Sequence, residues 1–177
     1  MRPLIRLAAL AIAVGAVSAA TAAEDPCSAF LMDVDNEVDL FQGAPAPVDS
    51  GREAATAPEV EPGKLYMVSL HGQQQVRFAA PRESKAPDPA RTGGMLKLRA
   101  AEPGSYRVSV DANFWVDVAQ DGKALPTLDF RSVRECPGPR KIVTYNLPVG
   151  VELLVQLIDA SVTSVLLTVT SVPPKIW

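Results

Sequence analysis

His71, Cys27, Cys136 and the acidic run Asp33, Asp35, Glu37 and Asp39 are the residues whose types could carry chemistry in this chain. His71 is the only histidine. Catalytic zinc needs three protein ligands rich in His, and a non-haem iron needs two His and a carboxylate. One His and two pairable Cys cannot supply either set, so no metal and no cofactor are expected. A Ser-His-Asp triad would have to use His71, and no GxSxG turn presents an activated serine. The acidic run has the look of a calcium loop. It lacks the glycine at the sixth position and the distal bidentate Glu of an EF-hand, and reads instead as a helix start with solvated acids. Two carboxylates could still meet in space for glycoside hydrolysis. None, however, falls on an apolar strand face that would raise its pKa.

Recognition has better candidates. Trp115 alternates onto the same side as Asp117, and a neighbouring strand would add Arg107. A tryptophan beside an acid and a base is a common holder of a sugar ring or a peptide, so Arg107, Trp115 and Asp117 form the candidate binding face. Arg140 and Lys141 follow a Cys-Pro-Gly-Pro corner and are a candidate anion contact; pairing with Glu135 is the competing reading.

These residues must be positioned by strands. From Met95 to Gly122 the chain reads as three of them. Leu96, Leu98 and Ala100 alternate with Lys97 and Arg99. Tyr106, Val108 and Val110 alternate with Arg107, Ser109 and Asp111, and Phe114, Val116 and Val118 with Trp115, Asp117 and Ala119. A hairpin closed by Asp111-Ala112-Asn113 would set Val110 opposite Phe114 and Val108 opposite Val116. It would also form an Arg107–Asp117 pair on the polar side. A two-residue loop would put Asp117 on the apolar face, so the three-residue register is expected. At Glu102-Pro103-Gly104-Ser105 a tight hairpin would oppose Leu98 to Ser109, which suggests an arch to a second sheet.

Elsewhere, Phe30, Met32 and Val34 alternate, and Asp35 could cap a short helix carrying Val38 and Phe41 on one side. Gln42 to Gly63 has no period and reads as a loop; Leu65 to His71 and Val76 to Ala80 read as strands. Pro81 to Gly94, rich in proline and ending in a glycine pair, reads as a second loop. Leu125 to Phe130 is a weaker strand, and Lys141 to Leu147 a stronger one. Leu153 to Ile158 and Val165 to Val169 are apolar on both faces, as central strands are. About nine or ten short strands at this spacing predict an all-β, antiparallel β-sandwich with one short N-terminal helix; a jelly-roll-like or barrel arrangement comes second.

Arg2 and Arg6, the apolar run Leu7 to Val17, and the small residues Ser18 to Ala23 read as a signal peptide cleaved after Ala22 or Ala23. The apolar run is shorter than the ~20 residues of a spanning helix. The expected domains are therefore residues 1–23 as leader and 24–177 as one β-sandwich. Removing Arg2 and Arg6 from the 17 basic residues leaves 15 against 20 acidic ones, a net charge of −5. That sign excludes nucleic acid and anionic membrane surfaces as expected partners. Export to an oxidising compartment, periplasmic or secreted, makes a Cys27–Cys136 disulfide the default. It would close a loop of roughly 108 residues, for which chain entropy gives at most about 4–5 kcal/mol.

The residues Cys27-Ser28-Ala29-Phe30, Asp33-Val34, Glu37, Gly93-Gly94, GSYRVSV, WVDV, Gly122, Cys136, Arg140-Lys141 and Val143 together resemble a group of small exported bacterial proteins of unknown role. Members often go under the name homogentisate 1,2-dioxygenase, a cupin activity whose iron needs two His and a Glu. With one His here, no ligand carries over. The stretch from Ala100 to Gly122 is similar, more distantly, to β-sandwich modules appended to secreted peptidases, which implies an accessory or binding role. The expectation is an exported, non-enzymatic binding or accessory protein whose partner is a periplasmic protein or a small ligand. The alternatives are a secreted protease or lysozyme inhibitor acting through Pro81 to Gly94, and an enzyme.

Overall fold

The structure, a computed structural model, describes residues 25–80 and 88–173. After a 3-10 turn (Pro26–Phe30) and helix α1 (Asp35–Phe41) come β1 (Ala46–Asp49), β2 (Glu59–Val60), β3 (Leu65–Ser69), β4 (His71–Gly72), β5 (Thr92–Leu98) and β6 (Gly104–Val110). Then follow β7 (Trp115–Gln120), β8 (Lys123–Ala124), β9 (Thr127–Ser132), β10 (Lys141–Leu147), β11 (Leu153–Ala160) and β12 (Ser164–Ser171). They form two six-stranded sheets. Sheet A runs β1-β3-β12-β6-β10-β9; sheet B runs β2-β5-β11-β7-β8, with β4 also on β5. This is the expected all-β sandwich. Its ladders are antiparallel except at β1 on β3 and β2 on β5, which are parallel.

The inner strands of both sheets bury the alternate residues their sequence offers. Tyr106, Val108, Val110, Val143, Tyr145, Leu147, Val165, Leu167 and Val169 line sheet A. Leu96, Leu98, Val116, Val118, Leu153, Val155 and Leu157 line sheet B. Together they make one core cluster, and a buried Val or Leu side chain is worth about 1.5–3 kcal/mol. The two runs apolar on both faces are the central strands β11 and β12, as expected.

The Glu102–Ser105 turn does arch from sheet B to sheet A, between β5 and β6. The expected hairpin after it does not form. β6 lies between β12 and β10 in sheet A, while β7 lies beside β11 in sheet B. Val108 and Val116 therefore face the same core from opposite sheets, and Arg107 and Asp117 never pair. Alternation defines which side chains are buried. It does not say whether two successive strands lie side by side or face to face. The real hairpin comes next, at Asp121-Gly122, where both residues have positive φ as a two-residue type I′ turn requires.

Other expectations also change. Phe30 ends a 3-10 turn rather than alternating in a strand. Asp35 is the first residue of α1 and Val34 stands at its N-cap; Asp33, one residue earlier, accepts on Oδ1 from the Asp35 N–H at 3.1 Å. Two strands, β1 and β2, lie inside the aperiodic Gln42–Gly63 stretch, too short to show a period. Val76 to Ala80 is irregular and lies over the outer face of sheet B. Gln156 clamps it there, its side-chain amide bonding both the N–H and C=O of Ala80 at 2.9 Å. Gly93 and Gly94 belong to β5: a Cβ at Gly94 would fall 2.0 Å from Ser50 Oγ, so only glycine lets the Ser50 segment pack on the strand. Of the Pro81–Gly94 loop, residues 81–87 lie outside the described residues, as does the whole 1–23 segment that the sequence reading takes as a leader.

The outer face of sheet A is covered by the N-terminal segment. The Cys27–Cys136 disulfide ties that segment down, packed with Phe30, Val34, Val133 and Ile142. Beneath α1 sits a buried ion pair that the sequence had suggested would be a solvated acid. Glu37, 2 % exposed, takes Arg107 Nη1 at 3.3 Å on both oxygens and the Thr170 hydroxyl on Oε1. Arg107 also donates to the Asp33 carbonyl at 2.7 Å. Asp33, Asp35 and Asp39 are exposed, as expected.

Removing one partner strands the other charge in a buried site. Arg107→Leu is expected to cost about 3–5 kcal/mol in urea denaturation, with Glu37→Leu on top recovering part of it. A single-variant loss under ~1 kcal/mol would mean that the pair is solvated rather than sealed beneath α1. At the β6–β7 arch, burial raises the Asp111 carboxyl above its ordinary value near 3.8, against the opposing pull of the Leu166 N–H at 2.9 Å and of Arg140. An acid that holds its proton more tightly when folded loses stability as pH rises from its ordinary pKa through its raised one. Asp111→Asn, which keeps the Leu166 acceptor, should therefore be at least as stable as wild type at pH 7. That advantage should fade as pH falls through Asp111's folded pKa and be gone below the ordinary value near 3.8, as read by thermal unfolding across pH.

Candidate functional site

On one side of the sandwich the two sheets end unevenly. β7 is bordered by β8 only at Ala119 and Gln120, so among the described residues no strand of sheet B borders the first part of β7 on that side. Its outward carbonyls are taken by other groups. Val118 C=O accepts from Leu125 N–H at 2.7 Å, Val116 C=O from the Tyr145 hydroxyl at 2.8 Å, and Phe114 C=O from Lys141 Nζ at 2.5 Å. Tyr145 and Lys141 reach across from β10, in the other sheet. Alternation along β10 puts Lys141, Val143 and Tyr145 on the inner face, which is why a lysine starts a strand whose inner face is otherwise apolar. Burial holds the Tyr145 phenol well above its ordinary pKa, so it stays a donor at any ordinary pH.

Beyond this seam, β9 is the last strand of sheet A and has little of sheet B above it. Phe130 is paired with the buried Val143, yet is 64 % exposed. A register shift between Thr144 and Tyr145 sets Leu128 out of the ladder, and it too is exposed. Trp115, 43 % exposed, stands at the first residue of β7 facing this gap. Trp115, Val116, Thr127, Phe130, Lys141 and Val143 line a small cleft of about 60 Å³. The Lys141 ammonium lies 5.8 Å from the Trp115 ring centre and 5.9 Å from that of Phe130. Cation–π attraction of this kind, about 0.5–2 kcal/mol per ring, holds the two rings and the ammonium in one arrangement.

The expected site residues are thus divided. Trp115 is in the cleft. Asp117, buried at 9 %, lies opposite Gln156 in the β7–β11 ladder. Arg107 is across the molecule under α1, paired with Glu37. Arg140 and Lys141 diverge as well: Arg140 is exposed near Asp111, while Lys141 turns inward to the cleft. Phe130 escaped the sequence reading because a Phe in an alternating strand reads as core. The one available signal was its polar company, Thr127, Asp129, Arg131 and Ser132.

His71 sits elsewhere, in a broad polar depression of about 570 Å³ shared with Asp49, Arg52, Glu53 and Arg77. Its Nε2 donates to the Ser50 carbonyl at 2.7 Å, a structural contact between β4 and the chain after β1. Among the described residues no three His, Cys, Asp or Glu side chains gather as a metal-ligand set.

Fold and site together define a two-sheet β-sandwich with an aromatic cleft at its open side. No family model matches the chain, and neither a curated protein nor a solved structure matches it.

The Tyr145 hydroxyl is the buried link across the open side. Tyr145→Phe leaves the Val116 carbonyl without that donor and is expected to cost about 1–3 kcal/mol by denaturant unfolding. An unchanged midpoint would show that the seam is held without it.

Proposed function

We propose that this protein is an exported, non-catalytic binding or accessory module that holds a ring or an apolar side chain of its ligand in the Trp115–Phe130 cleft. The observation that carries this reading is a pair of exposed aromatic rings that share one ammonium group, 5.8 and 5.9 Å from their centres. Aromatic faces left in water gain free energy when a ligand covers them, and a charged group beside them sets its orientation. Export is supported by the Arg2/Arg6 leader pattern and by the Cys27–Cys136 disulfide, which persists in an oxidising compartment. None of the described helices is long and apolar enough to cross a membrane. The likeness to modules appended to secreted peptidases favours the same role.

Tryptophan emission tests it directly. The chain has two Trp, so a Trp177→Phe variant leaves Trp115 as the sole reporter. We expect a saturable emission change with either cell-envelope saccharide fragments or short peptides carrying one aromatic residue. Phe130→Ala in that background, and Trp115→Ala followed by calorimetry, should each weaken binding about tenfold or more. Ligand binding that ignores both truncations, with the fold intact by circular dichroism, would rule the cleft out.

A further inference from the structure

We infer that β9 is a self-pairing edge, joining two copies of this chain through an antiparallel β9–β9 ladder centred on Phe130. The direction of the backbone groups comes first. Val133 N–H donates to Arg140 C=O at 2.9 Å, in the register that also pairs Arg131 with Ile142 and Asp129 with Thr144. Antiparallel pairs alternate between hydrogen-bonded and non-hydrogen-bonded. Asp129, Arg131 and Val133 therefore turn their backbone groups toward β10, and Phe130 and Ser132 turn theirs outward. The Phe130 N–H confirms this, since it is bonded not to the ladder but to its neighbour's Asp129 Oδ1, at 2.9 Å.

A two-fold axis through Phe130 lets the two Phe130 residues exchange both N–H···O=C bonds as a hydrogen-bonded pair. Asp129 of each copy then falls opposite Arg131 of the other, at non-hydrogen-bonded positions where side chains come closest. In the single chain these two residues already face each other, Arg131 Nε lying 3.2 Å from Asp129 Oδ2 with both about half exposed. Pairing exchanges one internal contact in each copy for two between copies, and replaces the Asp129 cap on the Phe130 N–H by a carbonyl. No other register about this axis is self-complementary in charge: moving the axis by half a residue sets Asp129 opposite Phe130. The apolar side chains agree. Leu128 at 57 % and Phe130 at 64 % are the large exposed hydrophobics of this strand. An exposed edge with apolar side chains is a template for another strand. Cross-strand pairs point to one side, so the two Phe130 rings and the two clefts would adjoin on the same face. The interface is isologous and closes on itself at two copies.

This inference stands apart from the ligand proposed for the cleft, because it rests on Asp129, Arg131 and the β9 backbone rather than on Trp115. Sedimentation velocity of the purified chain over a wide concentration range reads it. We expect a monomer–dimer equilibrium. Asp129→Arg alone places Arg opposite Arg131 twice, and Arg131→Asp alone places Asp opposite Asp129 twice; each should weaken the dimer about tenfold or more. The double exchange Asp129→Arg/Arg131→Asp restores opposite charges and should restore the dimer. Circular dichroism on each variant keeps misfolding apart from lost pairing, and Trp115→Ala should leave the dimer unchanged. A wild type that stays monomeric at the highest concentration overturns the inference. So does a dimer indifferent to the single exchanges, or a folded double exchange that remains monomeric.

Discussion

Two apolar faces must cover each other, and every other feature of this molecule follows from that requirement. The alternate residues of β6, β10 and β12 make one face, and those of β5, β7 and β11 the other. Neither sheet is stable with its face in water, since each buried Val or Leu is worth about 1.5–3 kcal/mol. The chain satisfies both by crossing between sheets at Glu102–Ser105 and again after Val110, rather than by folding back beside itself. What lies outside the two layers then has a defined task. The N-terminal segment, held by the Cys27–Cys136 bond, covers sheet A, and the stretch clamped by Gln156 covers sheet B.

The cleft is a by-product of the same requirement. Sheets of unequal reach leave an open side, and backbone groups there must find partners. Tyr145 and Lys141 supply them across the gap. Lys141 thereby brings its charge to 5.8 and 5.9 Å from the Trp115 and Phe130 ring centres, where the scaffold is least covered. Backbone satisfaction at the open side and the charge beside the two rings thus come from a single lysine.

Charged residues show most plainly where reading by neighbours along the chain succeeds and fails. Asp33, Asp35, Glu37 and Asp39 are alike in sequence, yet three are exposed and Glu37 is among the most buried residues. The helix start was legible from Asp33 and Asp35. The partner of Glu37 was not, because Arg107 is 70 residues away and meets it only when α1 lies across β6 and β12. The expected Arg107–Asp117 pair failed for the same reason. Both residues were assigned to the polar side of their strands correctly, but those polar sides belong to opposite surfaces of the sandwich. Of the candidate site, Trp115 and Lys141 were each singled out separately, and nothing along the chain could say that β9 would carry Phe130 into the same cleft as Trp115.

Period-two alternation, turn residues and the absence of helical periodicity were enough by themselves to determine the strands of the core, the face each one buries, and the class of fold, because those properties depend on residues two apart. The leader-like N-terminal pattern and the cysteine count likewise pointed to the disulfide before any contact was seen. Only the tertiary structure decided which strands are neighbours, that β6 and β7 part company into different sheets, and that a tryptophan, a phenylalanine and a lysine from three strands enclose one cleft. Those outcomes depend on how whole faces are matched across the core, a choice between hairpin and arch in which every local pattern is equally satisfied.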